Sequence, residues 1–206
     1  MKPNIKICGI TDLDILENII DLNVDFVGFI FYEKSPRFVN KELQRKLKNF
    51  NFKKTRPVCV FVNSDEEYIN EIDSIFVNPI LQFHGDEEEN FCKSFRRDFW
   101  KTVAIKNEND LGMIDRYKSA NAILLENYNP NLYGGTGEAF DWTVIDKINI
   151  KQNLILSGGI NAKNVDNALS KGTWCIDINS GVESSIGIKD LKLIEEILNK
   201  IKNYGL

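Results

Sequence analysis

An α/β fold, a single-domain (β/α)8 barrel over residues 1–206, is what this sequence predicts, and three observations predict it. Short apolar runs alternate with longer amphipathic stretches eight times along the chain. Parallel strands that each feed a helix need a sheet covered on its outer face, and eight such repeats favour closure over an open sheet. No stretch rich in Pro, Gly or Ser divides the chain, and 206 residues are short but sufficient for eight βα units.

Taken in order, the first strand is 5–8. It ends in the thiol of Cys8 and turns through Gly9, Ile10 and Thr11 into a helix that Asp12 opens. The second, 26–31, leads into Tyr32-Glu33-Lys34-Ser35-Pro36-Arg37. The third, 57–62, is followed by helix-start residues at 63–65 and by Tyr68, Ile69, Ile72, Ile75 and Phe76 at helical spacing. The fourth, 80–84, ends Gln82-Phe83-His84 before Gly85-Asp86, the fifth is 100–105, and the sixth, 122–126, ends in Glu126. Residues 128–141 are too irregular and glycine-rich for an ordinary βα turn, and long loops of this kind tend to be functional. The seventh strand, 153–156, runs into Ser157-Gly158-Gly159-Ile160-Asn161, with Asn161 reading as a helix N-cap. The eighth, 174–178, carries Asp177 and runs into Asn179-Ser180-Gly181-Val182-Glu183. Leu191, Ile194, Ile197, Leu198 and Ile201 mark a closing helix.

Composition removes several function classes. A net charge of −4 and a pI of about 5.2 argue against a nucleic-acid partner, which would want a basic face. No apolar run approaches the ~20 residues that cross a bilayer, and no apolar segment of a signal peptide follows Met1. The expectation is a cytoplasmic protein with no membrane contact. Cys8, Cys59, Cys92 and Cys175 form no C-x-x-C pair and have no histidine at metal-ligand spacing, so no metal site is expected. Unpaired thiols suit a reducing compartment.

In a barrel of this kind the chemistry sits at the carboxyl ends of the strands. A lone cysteine is more often a small buried hydrophobe, an arginine after a proline is more often solvated, and a histidine can be purely structural. Glu126 and Asp177 are harder to dismiss, since each follows or interrupts an apolar run and carboxylates are seldom buried without a partner or a task. Gly158-Gly159 and Ser180-Gly181 let backbone N–H groups approach an anion, and barrels often bind phosphate between the loops after strands seven and eight. Strand alternation puts Lys6 inward beneath Cys8. Its ammonium needs a counter-ion, Asp177 or Glu126, and would favour a thiolate on Cys8.

The matching stretches are Lys6-Ile7-Cys8-Gly9-Ile10-Thr11, Gly28-Phe29-Ile30-Phe31, Lys34-Ser35-Pro36-Arg37, Val60-Phe61-Val62-Asn63, Gln82-Phe83-His84-Gly85-Asp86, Tyr133-Gly134-Gly135-Thr136-Gly137, Phe140-Asp141-Trp142, Ser157-Gly158-Gly159-Ile160-Asn161 and Ser180-Gly181-Val182-Glu183. In this order, over nearly the whole chain, the sequence resembles the phosphoribosylanthranilate isomerase family of tryptophan biosynthesis. The resemblance implies an Amadori rearrangement of a small phosphosugar, N-(5-phosphoribosyl)anthranilate, with no cofactor, by a monomer or homodimer. It implies Cys8 as general base and Glu126 as general acid. Arg37 would hold the anthranilate carboxylate, and Gly158, Gly159, Ser180 and Gly181 the phosphate. Gln82, His84 and Asp177 would line the site, and the loop 134–137, with Gly135 against the substrate, would close over it. Two positions depart from the family pattern: Glu126 stands where aspartate is usual, and Asn179 where serine is common.

Three other readings compete. An indole-glycerol-phosphate synthase would want a lysine and paired carboxylates at the strand ends, whereas a cysteine holds the first strand here. A non-catalytic phosphosugar-binding barrel would make Glu126 a sign of decay, but Cys8, Arg37 and both glycine loops are present. A cysteine hydrolase lacks any motif joining His84 to Cys8.

Overall fold

The computed structural model describes residues 2–129, 137 and 139–205. Its centre is a closed barrel of eight parallel strands in chain order. They are β1 (Asn4–Cys8), β2 (Phe26–Ile30), β3 (Arg56–Phe61), β4 (Ile80–Phe83), β5 (Phe99–Ile105), β6 (Ala122–Asn127), β7 (Asn153–Leu156) and β8 (Cys175–Ile178). Each boundary lies within one residue of its sequence expectation. The seam is the pairing of β1 with β8, in the register Lys6↔Asp177.

Strand alternation divides the apolar residues into two cores. Ile7, Val27, Phe29, Cys59, Phe61, Leu81, Phe83, Leu125 and Ile176 point outward and pack beneath the helices. Phe26, Val58, Val60, Ile80, Trp100, Ala122, Leu124, Ile155 and Cys175 point inward and fill the barrel. Each fully buried side chain of this kind contributes about 1.5–3 kcal/mol. Aromatic rings gather at the amino-terminal end of the interior: Phe26 meets Trp100 edge-on at 4.9 Å and Trp174 at 5.6 Å. The other end of the interior is polar.

The helices follow from caps and apolar stripes. In α1 (Leu13–Asp21), Asp12 accepts from the Ile15 N–H at 3.0 Å, and Leu16, Ile19 and Ile20 are buried one turn apart. Such a cap stabilises a helix by about 1 kcal/mol. Next come α2 (Lys41–Leu47) and α3 (Glu66–Asp73), capped by Asn40 and Asp65, and α4 (Glu89–Ser94). Beyond them lie α5 (Val165–Ser170) and α6 (Leu191–Asn203), which buries Ile194, Ile197 and Ile201.

Two connections are not α-helical. After β5 the chain forms a 3-10 segment, Glu108–Arg116, and after β6 another, Trp142–Lys147. The apolar residues explain both. Leu111, Ile114 and Tyr117, and again Trp142, Ile145 and Ile148, recur every third residue. A period of three stacks on one face of a 3-10 turn and drifts off the face of an α-helix. After β8 come a short 3-10 turn, Ser180–Val182, and a hairpin of β9 (Glu183–Ser185) and β10 (Ile188–Lys189).

Candidate active site

Three groups of side chains converge on the carboxyl end of the barrel. The first lies at the seam. Lys6 and Cys8 occupy one face of β1, and Asp177 is the register partner of Lys6 on β8. The Lys6 ammonium donates to Asp177 Oδ2 at 2.9 Å, with the lysine fully buried. Of its two sequence candidates, Asp177 is therefore the counter-ion. Ser157 Oγ stands 3.5 Å from the same oxygen. Gly28 is opposite Cys8, and a Cβ there would come 2.5 Å from the sulfur, so the glycine leaves the room the thiol fills. Burial alone would lower the Lys6 pKa, but Asp177 and Cys8 outweigh it and hold the ammonium form. Burial also pushes the Cys8 thiol up, and Lys6 offsets only part of that shift.

The second group spans β4, β5 and β6. His84 Nε2 is 2.7 Å from Glu126 Oε2, and both side chains are largely buried. On the other side of the ring, Nδ1 is 3.1 Å from Thr102 Oγ1 and 3.2 Å from Gln82 Nε2. Thr102 and Gln82 thus hold one edge of the ring, and Glu126 lies beside the other. The turn that presents His84 is held from behind. The buried Lys101 donates to the carbonyls of Phe83 at 3.2 Å and Gly85 at 2.6 Å, and Glu87 accepts from the Gly85 N–H at 2.9 Å.

The third group surrounds Arg37. Contrary to a solvated arginine, it is 5% exposed. Its Nε and Nη2 donate to the two carboxylate oxygens of Glu183 at 2.8 and 2.7 Å. Lys189, also buried, donates to Glu183 Oε1 at 2.6 Å and to Asn179 Oδ1 at 2.7 Å. Asn179, at a position where serine is common in the family it resembles, thus supplies an acceptor to a buried cation. Glu183 raises the Arg37 pKa, with smaller contributions from the charges of Cys8 and Glu126. Burial works against the charge on Glu183, yet Arg37 and Lys189 hold its carboxyl below the usual range.

Beside these groups lie the glycine loops. Gly158 and Gly159 have φ of 91° and 65°, a backbone that side chains resist. Asn161 and Asn164 both donate to the Gly159 carbonyl, at 3.0 and 2.9 Å. Asn161 accepts from the Lys163 N–H in a local turn, and α5 begins only at Val165, so Asn161 shapes the loop and does not cap the helix. A Cβ on Gly181 would stand 1.9 Å from the Ile160 carbonyl, so only glycine lets the two loops touch. Gly137 (φ 71°) lies against Ser180. Gly134, Gly135 and Thr136, with the contact expected of Gly135, lie outside the described residues.

Sequence reading named Cys8, Arg37, Gln82, His84, Glu126 and Asp177, and the fold gathers all six at this end. It missed Glu183, Lys189 and Thr102 as members. Ser185-Ile186-Gly187-Ile188, a glycine turn between short apolar positions, is the hairpin signal that would have found the first two. Among the described residues no group of three or more His, Cys, Asp or Glu could hold a metal, and no helix is long and apolar enough to cross a membrane.

Comparison with known proteins decides among phosphosugar barrels. The family model described as N-(5'-phosphoribosyl)anthranilate (PRA) isomerase matches residues 5–200. The chain belongs to this family. The N-(5'-phosphoribosyl)anthranilate isomerase of Marinomonas sp. (strain MWYL1) is 36% identical over 98% of this chain and 99% of its own. Among solved structures, phosphoribosyl anthranilate isomerase from Thermotoga maritima superposes with a TM-score of 0.85 at 32% identity, covering 97% of this chain and 98% of its own. A phosphoribosyl anthranilate isomerase in complex with reduced 1-(o-carboxyphenylamino)-1-deoxyribulose 5-phosphate gives 0.82 at 31% identity, with 97% and 98% covered. The isomerase family thus accounts for the barrel and for its position-by-position motifs.

Proposed function

We propose that this isomerase converts N-(5'-phosphoribosyl)anthranilate into 1-(2-carboxyphenylamino)-1-deoxyribulose 5-phosphate, in one catalytic domain, by acid and base groups at the carboxyl end of the barrel. The observation that carries the reading is that both stand at this end with their own neighbours: Cys8 beside the Lys6–Asp177 pair on β1 and β8, Glu126 beside His84 on β6. In its protonated form Glu126 carries the proton of the general acid. Glu126 gives it to the furanose ring oxygen, the C1–O bond breaks, and the anthranilate nitrogen closes the Schiff base. Cys8, in the deprotonated form that the Lys6 ammonium favours against burial, then removes the C2 proton. The enolamine tautomerises to the ketone, with no net oxidation. Arg37 takes the anthranilate carboxylate, and the N–H groups around Gly158, Gly159, Ser180 and Gly181 take the phosphate. Asp177 Oδ1 and Gln82 Oε1, buried acceptors with no hydrogen-bond partner among the described residues, suit the donor hydroxyls of a sugar.

The added methylene of Glu126 supports an adapted site. It carries the carboxyl to His84, a contact that itself rests on Thr102 and Gln82. The test is the loss of anthranilate fluorescence when purified protein meets freshly made phosphoribosylanthranilate. An enzyme-dependent rate that Cys8→Ser lowers by ~10²–10⁴ is expected of a positioned base. Absence of any such rate would leave a phosphosugar-binding barrel in its place.

A further inference from the structure

Arg37 reaches the site already engaged. Its Nε–Nη2 edge, the fork that ordinarily grips a carboxylate, is closed by Glu183 at 2.8 and 2.7 Å. Nη1 enters no hydrogen bond among the described residues. The guanidinium is also walled in. A Cβ on Gly9 would stand 2.7 Å from Arg37 Cδ, and one on Gly187, at the hairpin turn, 3.1 Å from the Pro36 carbonyl. The turn is tied back to the first loop by Thr11 Oγ1, which donates to the Gly187 carbonyl at 2.8 Å. Glu183 would by itself cancel the charge of Arg37, but Lys189 donates to it from the other side at 2.6 Å and restores a net positive charge to the cluster.

We propose that Glu183 is the positioning residue for Arg37: it fixes the guanidinium by one edge and so presents Nη1 as the receptor for the aromatic carboxylate, while Lys189 keeps the cluster cationic. The hairpin of β9 and β10 is then a specificity element, selecting an ortho-carboxylated ring over a bare one. A side chain with five donors and several rotatable bonds is turned into a single pre-aimed donor pair, which lowers the ordering cost of binding. The proposal rests on the reading of Arg37 as the carboxylate site.

The experiment compares binding of two ligands by titration calorimetry: the reduced product analogue and the same compound lacking the ring carboxylate. Wild type is expected to favour the carboxylated ligand by ~10–100-fold, the value of a charge-assisted hydrogen bond. Arg37→Ala should abolish that preference. Glu183→Gln should abolish it equally and leave the affinity for the carboxyl-free ligand unchanged, a selective loss that a general weakening of the fold would not produce. Should Glu183→Gln fail to fold, with two cations left facing each other, the double variant Glu183→Gln/Lys189→Met removes one charge of each sign and the same comparison decides. If Arg37→Ala loses the preference and the Glu183 variant keeps it, the role of Glu183 is overturned and the reading of Arg37 stands. If Arg37→Ala keeps the preference, the reading of Arg37 itself falls.

Discussion

Two buried carboxylates stand at the mouth of this barrel, on β8 and on β6, and they have different neighbours. Asp177 accepts from the ammonium of Lys6 at 2.9 Å; Glu126 Oε2 lies 2.7 Å from His84 Nε2. A cationic partner favours the charged form of a carboxylate more than an uncharged partner does. The same residue class therefore serves two purposes. In the proposed mechanism Asp177 shapes the field around the base, and Glu126 is the acid. What separates them is one neighbour in strand register, not the carboxyl itself.

The comparison breaks most visibly if the acid is removed. Glu126→Gln keeps size and polarity but has no transferable proton, so kcat should fall by ~10²–10⁴ in a fluorescence assay, with affinity for the reduced product analogue retained. Substantial turnover in that variant would move the acid role to another group, and Asp177 would be the first to examine.

Next in size is the seam. Lys6→Met strips Asp177 of its counter-ion in a fully buried setting, and removing one partner of such a pair costs about 3–5 kcal/mol. Urea unfolding should show this as a lower midpoint at unchanged slope. An unaltered midpoint would mean that the pair contributes nothing to the fold.

Glu126→Asp sharpens the contrast further. It restores the residue usual in the family but draws the carboxyl back from His84. In a site built around the longer chain it should be slower, by up to ~10²-fold for an ångström of displacement. A faster Asp variant would mark Glu126 as decay.

Asp177→Asn should act chiefly on Cys8. Asp177 is one of the groups that raise the thiol's pKa, after burial. Without it, Lys6 has only the sulfur to compensate, and the pH at which iodoacetamide begins to alkylate Cys8 should fall. An unmoved profile would show that Lys6 and Asp177 do not set the thiol.

The smallest effect is on stability. Burial raises the thiols of Cys59 and Cys175 well above their ordinary range. At pH values below the unfolded thiol's pKa both states keep the proton and nothing changes. Above it the unfolded chain ionises first, so stability should decline as pH rises further. Thermal melts between pH 8 and about pH 10 should show the midpoint dropping, and a constant midpoint would contradict buried neutral thiols.

Much of this was legible because it is local. The strands announced themselves as apolar runs, and Cys8, Glu126 and Asp177 as polar residues at their ends. Lys6 was legible as inward-pointing, but the choice between Asp177 and Glu126 needed the β1–β8 register, a pairing across 171 positions of sequence. His84 beside Glu126 depends on how far three neighbouring strands are staggered, and no spacing encodes that. The 3-10 segments are written in the period of three at 111, 114 and 117, a spacing that differs little from the helical one over a few residues. The Glu183–Lys189 hairpin was passed over because two- and three-residue strands carry almost no periodicity.

The seam has a consequence for how the molecule is made. β1 leaves the ribosome first and β8 nearly last, and domains fold as units during synthesis. Until residue 177 emerges, Lys6 lacks the counter-ion beside it in the finished barrel, and the groove where β8 will sit is open. The nascent chain therefore gains its base only at the closing step, and a truncated product that stops before β8 keeps the thiol without its electrostatic setting. On the proposed mechanism, turnover in this isomerase reports that the β1–β8 seam has closed.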